Sequence, residues 1–148
     1  TEDASESKGL DAFVAGIGSG GTITGAGKEL KRVYPNLTLV GVEPAESANL
    51  EGSKPGLHKI QGVGTGSVTN VLDTEIYDHV IAIASDDAMK TARQVGMKEG
   101  ILVGISSGAA IQAALQVAKE LGKGKKVLAI VPDNGERYLY KALYQFED

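Results

Sequence analysis

Four short apolar runs are spaced along the chain, each bounded by glycine, proline or polar residues. They cover residues 12–17, 37–43, 79–84 and 126–131. Runs of this length that are almost entirely apolar are typical of strands buried on both faces of a parallel sheet. The pattern therefore predicts four strands of one parallel sheet.

Three segments between these strands have helical character. Residues 22–34 end in basic side chains suited to a helix C-terminus and stop before Pro35. Residues 86–99 follow Ser85, a predicted N-cap, and an Ala-rich helix is predicted over about residues 107–121. Strands that alternate with helices at this spacing predict an α/β fold, in which helices flank both faces of the sheet in three αβα layers.

The length of 148 residues fits one domain built around one core. Residues 44–70 are rich in glycine and have no sustained period, and so long a loop in a compact domain is usually functional. Residues 1–9 are polar and lack an initiator Met, which favours a linker, a processing product or an end introduced by cloning. The domain is therefore assigned to residues 10–148.

Composition and charge exclude several classes of function. The chain has no cysteine and two histidines, which argues against a disulfide scaffold, a cysteine nucleophile and a metal site. The net charge is −4 and the basic residues are scattered, which argues against a nucleic-acid partner. No apolar run is long enough to span a membrane and no signal peptide opens the chain, so we expect a cytoplasmic protein with no membrane partner.

Glycine is the unusual residue, with 20 of 148 positions, about twice the average usage. The most informative cluster lies directly between the first strand and the first helix and consists of Gly18, Ser19, Gly20, Gly21 and Thr22. Glycines let successive backbone N–H groups converge on an anion, and the helix N-terminus adds partial positive charge. This loop predicts a phosphate site, and a tight turn without a ligand is the alternative.

A dinucleotide-binding turn is a second interpretation of the same loop. Gly16, Gly18 and Gly21 fit a G-x-G-x-x-G frame, although the surrounding spacing fits poorly. Glu43, at the end of the second strand, lies about where a ribose-binding acid would lie. The nicotinamide-dinucleotide interpretation therefore stays open at this point.

Two further loops could carry chemistry. Ser106 and Ser107 are flanked by glycines at the start of a helix, where either serine could simply be an N-cap. Residues 132–138 follow the fourth strand, at the carboxyl edge where open parallel sheets bind ligands. An ordinary turn with an Asp or Asn cap is the alternative there.

These segments together resemble the cysteine synthases, the O-acetylserine sulfhydrylases that use pyridoxal phosphate. The similar segments occur in the family's order and cover residues 16–25, 58–64, 99–110 and 135–139. The cystathionine β-synthases share the glycine loop and the serine motif but resemble the other two segments less well. This chain departs from the family at Ser19, where Thr is frequent, and at Asp133, Asn134 and Tyr140, where Ser is common.

The resemblance implies roles for particular residues. Gly18, Ser19, Gly20, Gly21 and Thr22 would hold the cofactor phosphate, and Ser106 would hydrogen-bond the pyridine nitrogen. The stretch that contains Gln61 and Gly62 would border the substrate pocket. The family's Schiff-base lysine and its substrate-carboxylate loop lie in an N-terminal half that has no counterpart in this chain, so no catalytic residue is predicted here. Residues 10–148 are expected to be the C-terminal part of the cofactor domain of a fold-type-II enzyme.

The resemblance also implies a reaction and partners. The full enzyme would replace the acetate of O-acetyl-L-serine by sulfide to give L-cysteine, or use homocysteine as a cystathionine β-synthase does. A non-catalytic, anion-binding regulatory fragment is an alternative from another class. The family suggests a homodimer and, in some members, a serine acetyltransferase partner. The missing half would cover the hydrophobic faces of residues 12–17 and 37–42, so the chain alone is expected to be inactive and poorly soluble.

Overall fold

Four parallel strands form one sheet in the computed structural model, which describes residues 9–18, 21–47, 76–136 and 143. The strands are β1 (Ala12–Gly16), β2 (Thr38–Pro44), β3 (His79–Ile83) and β4 (Val127–Ala129). Their order across the sheet is β3-β2-β1-β4, and every neighbouring pair is parallel. The predicted parallel α/β fold is therefore confirmed.

Three α-helices flank these strands within the described ranges. Helix α1 (Gly21–Val33) joins β1 to β2, while α2 (Ser85–Glu99) and α3 (Ile105–Leu121) lie between β3 and β4. A short 3-10 helix, Ala45–Ser47, follows β2. Helix α2 ends at Gly100, whose left-handed backbone (φ 70°) suits glycine because it carries no Cβ. These elements lie within one or two residues of the predicted boundaries.

The side chains of the strands alternate between two hydrophobic clusters, one on each face of the sheet. Phe13 and Leu39 belong to the cluster that packs under α1 together with Ile23 and Leu30. Val14 and Val40 belong to the opposite cluster, which includes apolar residues of α2 and α3. The central strands are thus buried on both faces, as their continuous apolar sequences require.

Two predictions about boundaries and burial need correction. The apolar side chains of residues 12–17 and 37–42 are only 0% to 4% exposed, because the helices of this chain already cover them. Large exposed apolar side chains lie elsewhere, on the helices and their connections and, around β4, at Leu128 and Val131. The fourth strand is also shorter than predicted, although Ile130 still donates a hydrogen bond to the Val14 carbonyl (3.0 Å).

The predicted N-cap at Ser85 is also wrong. Ser85 is the first residue of α2, and the capping position belongs to Ala84, which has no side chain to accept a hydrogen bond. The Glu46 carboxylate accepts a hydrogen bond from the Ser85 N–H instead (2.8 Å). An acidic side chain from another segment therefore replaces the local cap. Within the described ranges, no helix is long and apolar enough to cross a membrane.

Candidate functional site

The strand order creates a point of divergence between β1 and β4. From β1 the chain passes through α1 to β2 on one side, whereas β4 lies on the other side of β1 after two helices on the opposite face. The strand order therefore reverses between β1 and β4. In open α/β sheets, ligands bind in the crevice at such a switch point.

The N-terminus of α1 lies at this crevice, directly beyond β1. Gly21 and Thr22 are exposed at the start of the helix, and Gly18 before them is half-buried. The first turn of α1 contains no acidic side chain. The positive end of the helix dipole and the Thr22 hydroxyl are consequently available to an anion, a donor set that fits a phosphate. Ser19 and Gly20 lie outside the described residues.

The N-terminus of α3 lies at the same edge, but it is buried and contacts the Asp133 carboxylate. We call it the closed end and the N-terminus of α1 the open end. The helix begins at Ile105 after Gly104, and no side chain caps it. Ser106 and Ser107 lie within the first turn and are 6% and 0% exposed. The N-cap interpretation of either serine is therefore wrong, and their hydroxyls serve another purpose.

The hydroxyls of Ser106 and Ser107 both contact the side-chain carboxylate of Asp133. Ser106 Oγ donates to Asp133 Oδ1 at 3.0 Å, and Ser107 Oγ lies 2.6 Å from the same oxygen. Ser107 Oγ also lies 2.9 Å from the Asp133 carbonyl oxygen and 3.3 Å from the Asp133 N–H, which can donate to it. Asp133 lies beyond the carboxyl end of β4, so this contact ties α3 to the strand next to β1.

Backbone contacts hold the Asp133 segment against the start of α3. The Gly104 N–H donates to the Asp133 carbonyl (3.2 Å), and the Gly135 N–H donates to the Leu102 carbonyl (2.9 Å). A Cβ at Gly104 would lie 1.8 Å from Asp133 Oδ2, which is far inside contact distance. Glycine at position 104 is therefore required by the close approach of the carboxylate.

The structure brings together some of the predicted residues and leaves others untested. Gly18, Gly21, Thr22 and Ser106 lie at the carboxyl edge of the neighbouring strands β1 and β4. Gln61 and Gly62 lie outside the described residues. The role of Asp133 was missed, although an acidic residue directly after a strand, in a family position where Ser is common, was a usable signal.

Glu43 does not behave as a ribose-binding acid. Its side chain is buried, with the residue 2% exposed, on the α1 side of β2. A carboxylate that holds a ribose has to be reachable from the crevice. Burial raises the pKa of the nearby Tyr77 hydroxyl, and the negative charge of Glu43 raises that pKa further. The dinucleotide interpretation therefore loses the acidic residue on which it depended.

Comparison with known proteins gives consistent results. The model of the pyridoxal-phosphate dependent enzyme family matches residues 2–133. A cysteine synthase of Staphylococcus aureus is 56% identical over 143 residues, which are 97% of this chain and 46% of that protein. The crystal structure of a cysteine synthase from Entamoeba histolytica superposes with a TM-score of 0.93 at 41% identity, covering 99% of this chain and 44% of that one.

A third relative is named for a different activity. An O-acetylserine-dependent cystathionine β-synthase from Helicobacter pylori is 43% identical, with a TM-score of 0.86, over 92% of this chain and 44% of that one. The chain thus spans less than half the length of each of these relatives. Because the family model matches most of its length, the chain belongs to the family of pyridoxal-phosphate-dependent enzymes.

Proposed function

We propose that this chain is the C-terminal part of the cofactor domain of a cysteine synthase, which replaces the acetate of O-acetyl-L-serine by sulfide. The observation that carries the proposal is the pair of helix N-termini at the switch point between β1 and β4, one open and one closed by Asp133. The 56% identity to a cysteine synthase supports the same reaction.

The two helix ends have complementary roles in this proposal. The backbone N–H groups and the Thr22 hydroxyl at the start of α1 bind the cofactor phosphate, with Ser19 and Gly20 completing the loop. Ser106, at the start of α3, faces the pyridine nitrogen. Gln61 and Gly62 border the substrate. When bound, pyridoxal phosphate supplies the electron sink for loss of acetate and addition of sulfide.

The reaction also requires a lysine that binds the cofactor covalently, and none of the lysines in this chain was predicted to do so. We assign that lysine to an N-terminal half, and we use "complete enzyme" below for this chain joined to such a half. We infer a cytoplasmic homodimer, with a serine acetyltransferase as a further partner. The family resemblance supports these assignments, and the exposed Leu128 and Val131 around the edge strand β4 provide apolar surface for the proposed N-terminal half.

A cystathionine β-synthase type of reaction is the second candidate. The similarity to the Helicobacter pylori enzyme, which is named for that activity and for O-acetylserine, favours it. The two reactions share the loss of acetate and differ in the attacking sulfur compound. Supplying sulfide or homocysteine to the complete enzyme with O-acetyl-L-serine therefore separates them by the product formed.

The main experiment measures cofactor binding and product formation in the complete enzyme. We expect the visible absorbance of lysine-bound cofactor, and L-cysteine when O-acetyl-L-serine and sulfide are added. The 148-residue chain alone should form no cysteine, because none of its lysines is predicted to bind the cofactor. Cysteine formed by the chain alone would contradict the assignment of the lysine to another segment. Absence of cofactor absorbance in the complete enzyme, with binding of a nicotinamide dinucleotide, would overturn the proposed function.

A further inference from the structure

Glu43 is a buried acidic residue that the proposed function does not use. It lies near the carboxyl end of β2, is 2% exposed and faces the side of the sheet that α1 covers. A carboxyl group removed from water responds strongly to a charge that arrives nearby, because solvent screens the interaction less. The position of Glu43 relative to α1 therefore matters for any ligand of that helix.

Two close approaches between α1 and β2 locate Glu43 along the helix. A Cβ at Gly27 would lie 2.7 Å from Leu39 Cδ1, and a Cβ at Gly41 would lie 3.6 Å from Ile23 Cδ1. Two residues forward along the strand thus correspond to four residues back along the helix, a step of roughly 6 Å in each element. One further step from Gly41 reaches Glu43 and extends beyond Ile23 to the start of α1. The buried carboxyl group therefore lies on the sheet side of the open end.

The described elements around Glu43 carry few other charges. Strand β1 and the first turn of α1 have no titratable side chain, and β3 has only His79, at its opposite, exposed end. Tyr77 lies close enough for the charge of Glu43 to raise the pKa of its hydroxyl. Glu46, on the 3-10 helix after β2, is exposed and accepts a hydrogen bond from the Ser85 N–H. A phosphate at the open end would bring more negative charge to Glu43 than any of these groups.

We propose that Glu43 takes up a proton from solvent when the cofactor phosphate binds at the open end. The inference rests on the proposed function, which places the phosphate there. Without phosphate, the positive end of the α1 dipole stabilises the Glu43 carboxylate. A phosphate monoester brings nearly two negative charges to the same helix end at neutral pH, and a nearby like charge favours the protonated form of a carboxyl group.

Proton uptake makes the affinity for the phosphate depend on pH. Binding that is linked to one proton weakens by up to about tenfold per pH unit as the pH rises through the range in which Glu43 titrates. The amide in Glu43→Gln has nearly the same shape and does not titrate, so this part of the pH dependence should disappear. At about pH 8, Glu43→Gln should also bind the phosphate several-fold more tightly than the parent, because no buried negative charge opposes it.

The test titrates the complete enzyme with pyridoxine 5′-phosphate, which has the phosphate and ring of the cofactor but no aldehyde to react with a lysine. Calorimetric titration in buffers of different ionisation enthalpy counts the protons taken up on binding. We expect the parent to take up more protons than Glu43→Gln, by up to about one per site. The titrating groups of the probe itself are the same in both titrations and cancel in the difference.

Glu46→Gln is the matched control, because it removes an exposed carboxylate from the same segment. Its proton count should equal that of the parent. Equal proton counts in the parent and Glu43→Gln overturn the inference, as does the same decrease in both variants.

If Glu43→Gln does not fold, the infrared difference spectrum of the parent with and without the probe decides. A band of a protonated carboxyl group that appears with the probe and shifts on ¹³C labelling of glutamate supports the inference, and its absence overturns it. A parent enzyme that binds neither pyridoxine 5′-phosphate nor pyridoxal phosphate refutes the proposed function. That result is distinct from binding without proton uptake.

Discussion

The N-termini of α1 and α3 lie at the same edge of the sheet, and they differ in how their polar groups are used. The start of α1 is exposed, has no acidic residue in its first turn and follows a glycine-rich loop. The start of α3 is buried, and the Asp133 carboxylate accepts hydrogen bonds from two of its side chains. One end can receive an anion from solution, whereas the other already has an anion supplied by the chain.

This difference indicates which kind of group each end can bind. An exposed helix N-terminus with only neutral side chains favours a charged phosphate. An end already occupied by a carboxylate repels a second anion and instead offers an oriented oxygen to a hydrogen-bond donor. The proposed function assigns the cofactor phosphate to the end without a carboxylate and the cofactor ring to the end that contains Asp133.

Gly104→Ala should have the largest effect, because it disrupts the closed end. The added Cβ would lie 1.8 Å from Asp133 Oδ2 and push the carboxylate away from two buried hydroxyls. We expect a loss of about 3 kcal/mol in the free energy of unfolding. Denaturant unfolding of the cofactor-free enzyme measures this loss of stability.

Gly25→Ala is the control for this change. A Cβ at Gly25, in α1, would meet nothing within 4 Å. Alanine is the better helix former, so this variant should be stabilised by up to about 1 kcal/mol. Equal stability of the two variants would show that Asp133 can move away from Gly104 without cost.

Thr22→Asp tests the open end by giving it the negative charge that α3 already has. A carboxylate in the first turn of α1 should stabilise the cofactor-free helix by about 0.5 kcal/mol through its dipole. The same charge should repel the cofactor phosphate and weaken its binding by about 2 kcal/mol, roughly thirtyfold. The variant should therefore be more stable than the parent without cofactor, which thermal unfolding measures. It should bind the cofactor more weakly, which cofactor titration measures.

Thr22→Asn is the control, because the asparagine side chain has nearly the shape of aspartate but carries no charge. We expect its cofactor affinity to stay within a few-fold of that of the parent enzyme. Comparable losses in the Asn and Asp variants would mean that shape, and not charge, governs this end of the site.

The sheet and its helices followed from local sequence, whereas the closed end did not. The apolar runs predicted all four strands, most clearly β1 and β2, because a strand buried on both faces has little choice of residue. The start of α3 was misplaced because serine is a favoured N-cap, yet the capping position is Gly104 and both serines lie inside the helix. Their partner, Asp133, is 26 and 27 residues away, and no local pattern records such a contact.

Ser107→Ala and Ser106→Ala should separate structure from cofactor binding within the closed end. Ser107 is fully buried and contacts both the side chain and the backbone of Asp133, so its loss should cost about 1.5 kcal/mol of stability. Ser106 has one such contact and faces the cofactor in our proposal. We expect its loss to reduce cofactor affinity more than stability. Indistinguishable profiles in unfolding and cofactor titration would argue against separate roles.

Tyr77→Phe should have the smallest effect, and it tests whether the two faces of the sheet are independent. Tyr77 packs with the cluster under α1, on the face opposite α3. Burial raises the pKa of Tyr77 above the ordinary value of 10.0, and the charge of Glu43 raises it further. The folded protein therefore holds the phenol proton more tightly than the unfolded chain does. Tyr77 therefore has no effect on the pH dependence of stability below the pKa that it has in the unfolded chain. As the pH rises above that pKa, the unfolded chain loses the phenol proton first and the stability of the folded protein falls.

Tyr77→Phe lacks this titrating group, so it should lose less stability than the parent between about pH 8 and about pH 11. Denaturant unfolding at both values measures the loss, and each variant serves as its own reference at the lower pH. An equal loss of stability in parent and variant would exclude Tyr77 as the source of the pH dependence.

A double variant, Tyr77→Phe with Ser107→Ala, extends the test. The two residues lie on opposite faces of the sheet and share no partner, so their effects on stability should add. A clear departure from additivity would mean that the open and closed ends are coupled through the sheet.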